Sequence, residues 1–237
     1  MTDRPFEGRL ALVTGASRGI GAATAKALAA KGAHVVLVAR TAGGLEEVEE
    51  AIHGAGGSAT IAPLDLTESD SIARLASAIG GRWQALDMLV LNAAALGTLT
   101  PVPMVDQKEF GRVITLNLLA TQALIAGFDA MLRKSAAARV IGLTTSVATR
   151  PRAYWGVYGA TKAAMESLLL SYGEEVKDIS AIRVALVNPG ATATKMRALA
   201  YPGEDQATLK SPDVVGAALA ALVERDFENG FRLKVEA

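Results

Sequence analysis

Short charge-free apolar runs recur along the chain. Each is followed by a glycine-rich or polar break and then by a longer segment with helical spacing. Residues 10–13 (Leu-Ala-Leu-Val) read as a buried strand, and 34–39, 59–62, 86–91, 139–144, 182–187 and 231–235 repeat the pattern, which predicts seven strands. Helical segments lie between them: an alanine- and leucine-rich stretch to Lys31, then 43–55, a segment capped within 67–70 and running through Ile79, then 106–133, 154–177 and 212–225. Over 106–133, Phe110, Val113, Ile114, Asn117, Leu118, Thr121, Leu124 and Phe128 fall near one face. This alternation predicts an α/β fold, a doubly wound parallel seven-stranded sheet with helices on both faces, in a single domain over 1–237.

Composition narrows the function. The 24 Lys and Arg are balanced by 24 Asp and Glu, so nothing electrostatic favours a nucleic acid or an anionic membrane surface. The chain has no cysteine and two histidines, so neither a disulfide nor a metal is expected. His34 and His53 read as a strand residue and a surface helix residue, and the acidic run 46–50 as a solvated face. The start, Met1-Thr2-Asp3-Arg4-Pro5, is polar and unlike a signal peptide. Charges or glycines interrupt every apolar stretch before the roughly 18 residues of a membrane span. A cytoplasmic protein is expected.

Chemistry is concentrated just after the strands, where open parallel sheets bind ligands. Thr14-Gly15-Ala16-Ser17-Arg18-Gly19-Ile20-Gly21 joins the first strand to the first helix. In that context Gly15 allows a sharp turn, Gly19 lets backbone approach a pyrophosphate, and Gly21 lets the helix pack close to the strand. Phosphates would then meet free N–H groups at the positive end of the helix dipole. A plain strand-to-helix turn accounts for the same glycines. The other segments on this edge are Arg40, Asp65-Leu66, 92–95, Ser146 and 189–194.

Tyr158 and Lys162 are four residues apart on a helix and share a face. A tyrosine titrates near 10. Bringing it to about 7 requires about 4 kcal/mol of preferential stabilisation of the phenolate. A lysine together with a cationic nicotinamide supplies this in a low-dielectric site. A surface Tyr/Lys pair is the plainer alternative.

Taken together these motifs resemble the short-chain dehydrogenase/reductase family, over nearly the whole chain. The glycine turn at 14–21, Leu91-Asn92-Ala93-Ala94 after the fourth strand, Asn117, Ser146 in Thr144-Thr145-Ser146, the Tyr158/Lys162 pair, and Pro189-Gly190 through Thr194 stand in the family's order. The stretch 189–210 also resembles a bacterial subgroup of largely unassigned oxidoreductases. The resemblance implies a Rossmann-like fold and a nicotinamide-dependent oxidoreductase interconverting a carbonyl and a secondary alcohol. It makes Tyr158 the general acid/base and gives Lys162 the phenolate and the nicotinamide ribose. Ser146 would bond the substrate oxygen, and Asn117 would hold a water linking Lys162 to solvent. Asn117 as a satisfied core amide, and Ser146 as a strand-end residue bonding backbone, are the structural alternatives.

Two departures stand out. Ser146 lies twelve residues before Tyr158, one short of the commonest family spacing, which makes Thr145 a second candidate. Ala94 and Leu91 replace a glycine and an asparagine. Around the cofactor, Asn92 and Ala93 would lie on the adenosine side, Asp65 and Leu66 at the adenine, and Pro189, Gly190, Thr192 and Thr194 near the carboxamide and phosphates. The second strand ends in Ala39-Arg40 rather than an acidic residue, and Arg18 lies in the glycine turn. Two guanidiniums suit a 2′-phosphate, so NADP(H) is expected.

Residues 194–210 read as a lid, and Tyr154, Trp155, Leu96, Met196 and Tyr201 as candidate pocket lining. In the resembling family the helices 106–133 and 154–177 pair across a two-fold axis, which implies a homodimer or homotetramer. The competing functions are a non-catalytic dinucleotide-binding protein and an epimerase or dehydratase acting on a nucleotide sugar.

Overall fold

In the computed structural model, side chains of the first strands alternate between two cores, which is why their sequences are apolar throughout rather than every second residue. The structure describes residues 4–236; the polar start at 1–3 and residue 237 lie outside them. The strands are β1 (Leu10–Thr14), β2 (His34–Ala39), β3 (Ser58–Pro63), β4 (Met88–Leu91), β5 (Arg139–Leu143), β6 (Arg183–Asn188) and β7 (Phe231–Lys234). All pairings are parallel, in the order β3-β2-β1-β4-β5-β6-β7. The chain reverses direction across the sheet between β1 and β4, so the carboxyl ends of these two strands open the crevice where a ligand fits.

On one face Ala11, Val13, Leu37, Val90 and Val187 pack under α1 (Gly19–Ala30), α2 (Ala42–Gly54) and α8 (Pro212–Glu224). On the other, Leu10, Leu12, Val38, Leu89, Val140 and Leu186 pack under α3 (Ser71–Gly80), α5 (Ala120–Leu132) and α6 (Gly156–Val176). The remaining helices are α4 (Gln107–Ile114) and α7 (Lys195–Ala200).

Three details correct the sequence reading. First, α3 starts at Ser71. Asp70 precedes it at φ 60° and caps nothing with its side chain, while Asp65 organises the turn through the amide and hydroxyl of Thr67. Second, the helix over 106–133 is not uniform: α4 and α5 are joined by one π-helical stretch, Thr115–Leu119, which contains Asn117. Third, the composite Gln107–Leu132 is long and apolar enough to cross a membrane by length and composition, with a mean hydropathy of 1.4 over 18 residues. Gly127 and Asp129 interrupt the run, but the apolar residues around them keep the mean high. In the fold Val113, Leu124 and Phe128 enter the core, and Asp129 bonds Tyr172 and Arg133.

Candidate active site

At the end of β1 the chain turns at Gly15 (φ 67°) and Gly19 (φ 56°), in the left-handed region that glycine adopts without strain. Gly21 answers a different need. A Cβ there would stand 2.2 Å from the Gly15 carbonyl oxygen, so α1 approaches the turn too closely for any side chain. Asn92 braces this turn from β4. Its Nδ2 donates to the carbonyls of Thr14 at 2.8 Å and Gly15 at 3.3 Å, and Thr14 Oγ1 accepts from the amides of Asn92 and Ala93, both at 3.0 Å. The Asn92 Nδ2 group is therefore engaged by the glycine turn. α1 itself has Arg18 at its cap position, no side-chain cap and no acidic residue in its first turn. Its leading N–H groups are left for an anion. This cradle fits a dinucleotide pyrophosphate.

Beside it, Arg40 is exposed, with Nη1 3.9 Å from Asp65 Oδ2. Hydrogen bonds from Thr67 hold the Asp65 carboxyl below its usual range, and the Arg40 charge adds to the effect. Arg18 is exposed as well, and Ser17 and Ile20 are half-buried. The Leu66 side chain packs in the core.

The catalytic candidates converge from three elements. After β5, Thr145 Oγ1 accepts from the Val147 amide at 3.4 Å, capping the short turn Ser146–Ala148, while Ser146 is exposed at its start. The turn thus engages the Thr145 hydroxyl with backbone and leaves Ser146, the first candidate by motif, exposed. Gly159, next to Tyr158, packs against this turn: a Cβ there would lie 3.1 Å from the Val147 carbonyl oxygen. Tyr158 is buried, and burial pushes its phenol up to about 12. Lys162 is buried too, and burial pulls its ammonium down to about 8, with the Glu166 charge opposing. Lys162 Nζ donates to the Leu143 carbonyl at 2.7 Å. In the protein alone, then, burial governs the phenol, and the lowering expected from Lys162 is not expressed.

Asn117 is 1% exposed, and its amide is fully used. Oδ1 accepts from the Ala95 amide at 2.8 Å, and Nδ2 donates to the Ala95 carbonyl at 2.9 Å and to Thr161 Oγ1 at 3.0 Å. It ties the loop after β4 to α6 beside Lys162, so the satisfied-amide alternative describes its side chain. A π-helical stretch is a costly local irregularity that recurs at functional positions.

From β6, Pro189 leads to Gly190 (φ 66°) and to Thr192, whose Oγ1 donates to the Pro189 carbonyl at 3.1 Å. A Cβ on Gly19 would lie 3.6 Å from Thr194 Cγ2, so Thr194 closes over the glycine turn. Thr194 Oγ1 accepts from the Arg197 amide at 3.1 Å, capping α7. Residues 194–210 are more ordered internally than a polar loop. Thr192 bridges Lys210 at their base, and Arg197 makes a two-pronged ion pair with Glu204, both contacts at 2.5 Å. Of the pocket candidates, Trp155 bridges Tyr158 and Tyr201, with ring centroids 6.0 and 5.8 Å away. Tyr154 is exposed and strained at φ 73°. The sequence reading missed Glu166 and Thr161, whose spacing on α6 signals only helix, and the Arg197–Glu204 pair.

Comparison with known proteins agrees with this geometry. The family model described as short chain dehydrogenase matches residues 9–205. The oxidoreductase YciK of Escherichia coli K12 is 35% identical over 207 residues, 86% of this chain and 81% of its own. Cis-4-hydroxycyclohexanecarboxylate dehydrogenase of Sinomonas cyclohexanicum is 33% identical over 213 residues, 89% of this chain and 84% of its own. A structure from Shigella flexneri 2a complexed with NADP superposes with a TM-score of 0.92 at 32% identity, over 100% of both chains. The glycine turn and the buried Tyr/Lys pair both lie inside the matched span, and the chain belongs to the short chain dehydrogenase family.

Proposed function

We propose that this protein is an NADP(H)-dependent oxidoreductase that interconverts a carbonyl and a secondary alcohol. The observation that carries the reading is the burial of Tyr158 and Lys162, one helical turn apart, on the edge of the sheet where the uncapped start of α1 lies. When bound, the nicotinamide supplies or accepts the hydride. Tyr158 donates its phenolic proton to the carbonyl oxygen in reduction and takes it back in oxidation. The Ser146 hydroxyl donates to the same oxygen. Burial alone leaves the phenol at about 12, far from neutral. Lys162, once turned from Leu143 toward the ribose, adds the positive charge that brings it down. Asn117 acts by holding the loop after β4 against α6. Arg18 and Arg40 hold the 2′-phosphate, the leading amides of α1 hold the pyrophosphate, and Pro189, Gly190, Thr192 and Thr194 face the nicotinamide end.

Residues 194–210 act as a lid, swung on the Thr192–Lys210 bridge. Tyr201 and Trp155 give it an apolar wall above Tyr158, suited to the ring or chain of an alcohol. Two copies pair through the α4–α5 helix, where Leu119 is 53% exposed. The test is fluorescence titration with NADPH and NADH, followed by a screen of secondary alcohols and ketones with Tyr158→Phe as control. Preferential NADPH binding, with turnover lost in the variant, is the expected outcome. Binding of neither nucleotide overturns the reading, and binding without turnover on any of these substrates favours a non-catalytic nucleotide-binding role.

A further inference from the structure

Glu166 is 5% exposed and stands on α6 one turn beyond Lys162 and two beyond Tyr158. Three polar groups thus follow one another at intervals of four along one stripe of a buried helix. The carboxylate is held from two other elements. Thr144 Oγ1 donates to its Oε1, and Arg232 Nη1 on β7 donates to its Oε2 at 2.8 Å. Lys162 and Glu166 therefore grip consecutive residues at the end of β5: the ammonium takes the Leu143 carbonyl and the carboxylate takes the Thr144 hydroxyl. Ser146 follows two residues later. A cavity of about 200 Å³, lined by Thr144, Thr145, Glu166, Asn188, Arg232 and Lys234, opens beside the carboxylate.

The ammonium of Lys162 has no carboxylate in hydrogen-bond contact; its neighbours are the Leu143 carbonyl and the Met165 sulfur. An isolated charge in such surroundings loses its proton rather than bear the desolvation cost. A carboxylate one turn away is the compensating charge. The charged and titratable groups facing this pair are Tyr158 on the same helix, and Arg232 and Lys234 on β7 beyond Glu166. Nothing in the proposed hydride-transfer chemistry uses Glu166 directly.

We propose that Glu166 is a positioning residue of the Tyr158/Lys162 pair: fixed by Thr144 and Arg232, it keeps the buried Lys162 protonated and pins the strand end that presents Ser146. The inference rests on Lys162 serving the reaction as a cation. Arg232 tunes it in the opposite sense, because its guanidinium offsets part of the carboxylate charge.

The test follows the Lys162 side-chain carbon resonance against pH in the full-length protein without nucleotide, the signal being identified by its loss in Lys162→Met. In Glu166→Gln, which keeps the shape of the side chain, the Lys162 midpoint is expected to fall by about one pH unit or more. In Arg232→Gln it is expected to rise. An unmoved midpoint in Glu166→Gln overturns the proposal; if that variant does not fold, an unmoved midpoint in Arg232→Gln does so. Titration of the same wild-type sample with NADPH and with NADH separates the two ideas. Binding with an unmoved midpoint sinks the role of Glu166 alone. Failure to bind either nucleotide sinks the enzymatic reading beneath it.

Discussion

At the β1–α1 turn the candidate site is made of backbone: three glycines, an uncapped helix start, and an asparagine whose Nδ2 holds the turn. At the head of α6 it is made of side chains that a stable core would avoid: a buried phenol, a buried ammonium one turn on and a buried carboxylate one turn further. In the proposed reading the first region works by removing side chains so that a ligand can come close. The second works by burying polar groups whose proton affinities then move, up for Tyr158 and down for Lys162. Under the proposed function the difference separates binding from chemistry, and in the structure it separates steric cost from electrostatic cost.

The sharpest attempt to break this division is Tyr158→Phe. Removing one hydroxyl is expected to lower turnover by about 10²–10⁴-fold while nucleotide affinity stays near the wild-type value. Steady-state kinetics with parallel NADPH titration read both. An equal loss of binding and turnover would mean that the two regions are not separable.

The converse probe acts on the backbone half. Gly21→Ala puts a methyl where 2.2 Å separates the position from a carbonyl oxygen, so β1, α1 and Asn92 must move apart. A stability loss of about 1–3 kcal/mol is expected in denaturant unfolding, together with loss of nucleotide binding. Gly43→Ala, at a position in α2 with nothing within 4 Å, is the control and is expected to gain about 0.5–1 kcal/mol.

Lys162→Met tests the electrostatic cost. The native ammonium titrates at about 8 against the usual 10.5, so the unfolded chain holds this proton more tightly. Below pH 8 both states are charged and the native state bears the full penalty. Between pH 8 and 10.5 the unfolded state binds more protons, so the penalty fades as pH rises. The variant loses turnover. Its stability relative to wild type is expected to be about 3 kcal/mol better below pH 8 than above 10.5. Using the difference between two pH values cancels the cost of the Leu143 carbonyl left without its donor. A pH-independent difference would show that the ammonium is not desolvated.

How much of this was legible in the chain follows the same line. The glycine turn, the seven strands and the Tyr158/Lys162 pair are local patterns, and their order along the chain located them. The Ser146 and Thr145 question was not local: spacing kept Thr145 as a second candidate, and its bond from the Val147 amide is a tertiary detail of the turn that spacing does not carry. The π-helical stretch at Asn117 left no mark, because its residues are ordinary helix formers and the irregularity serves tertiary bonds to Ala95 and Thr161. Glu166 sat unnoticed in a helix, since its meaning depends on Thr144 and Arg232, 22 and 66 residues away. The Arg197–Glu204 pair hid in a stretch that read only as polar.

The gentlest probe returns to the backbone half, where it asks whether any side chain matters there. Arg40 is exposed and pairs weakly, at 3.9 Å, with Asp65. Arg40→Ala is expected to weaken NADPH binding about tenfold and to leave NADH unchanged, the scale of one hydrogen bond to a charged group. Because the site faces solvent, the difference should shrink as salt rises. Asp65 sharpens the argument. Thr67 keeps its carboxyl ionised, so without Arg40 that charge stands unopposed beside the position a 2′-phosphate would take. Adding Asp65→Asn to Arg40→Ala should therefore recover part of the lost affinity. Recovery means that the arginine works partly by neutralising its neighbour; its absence means that Arg40 acts on the phosphate alone, with Arg18 supplying whatever preference remains.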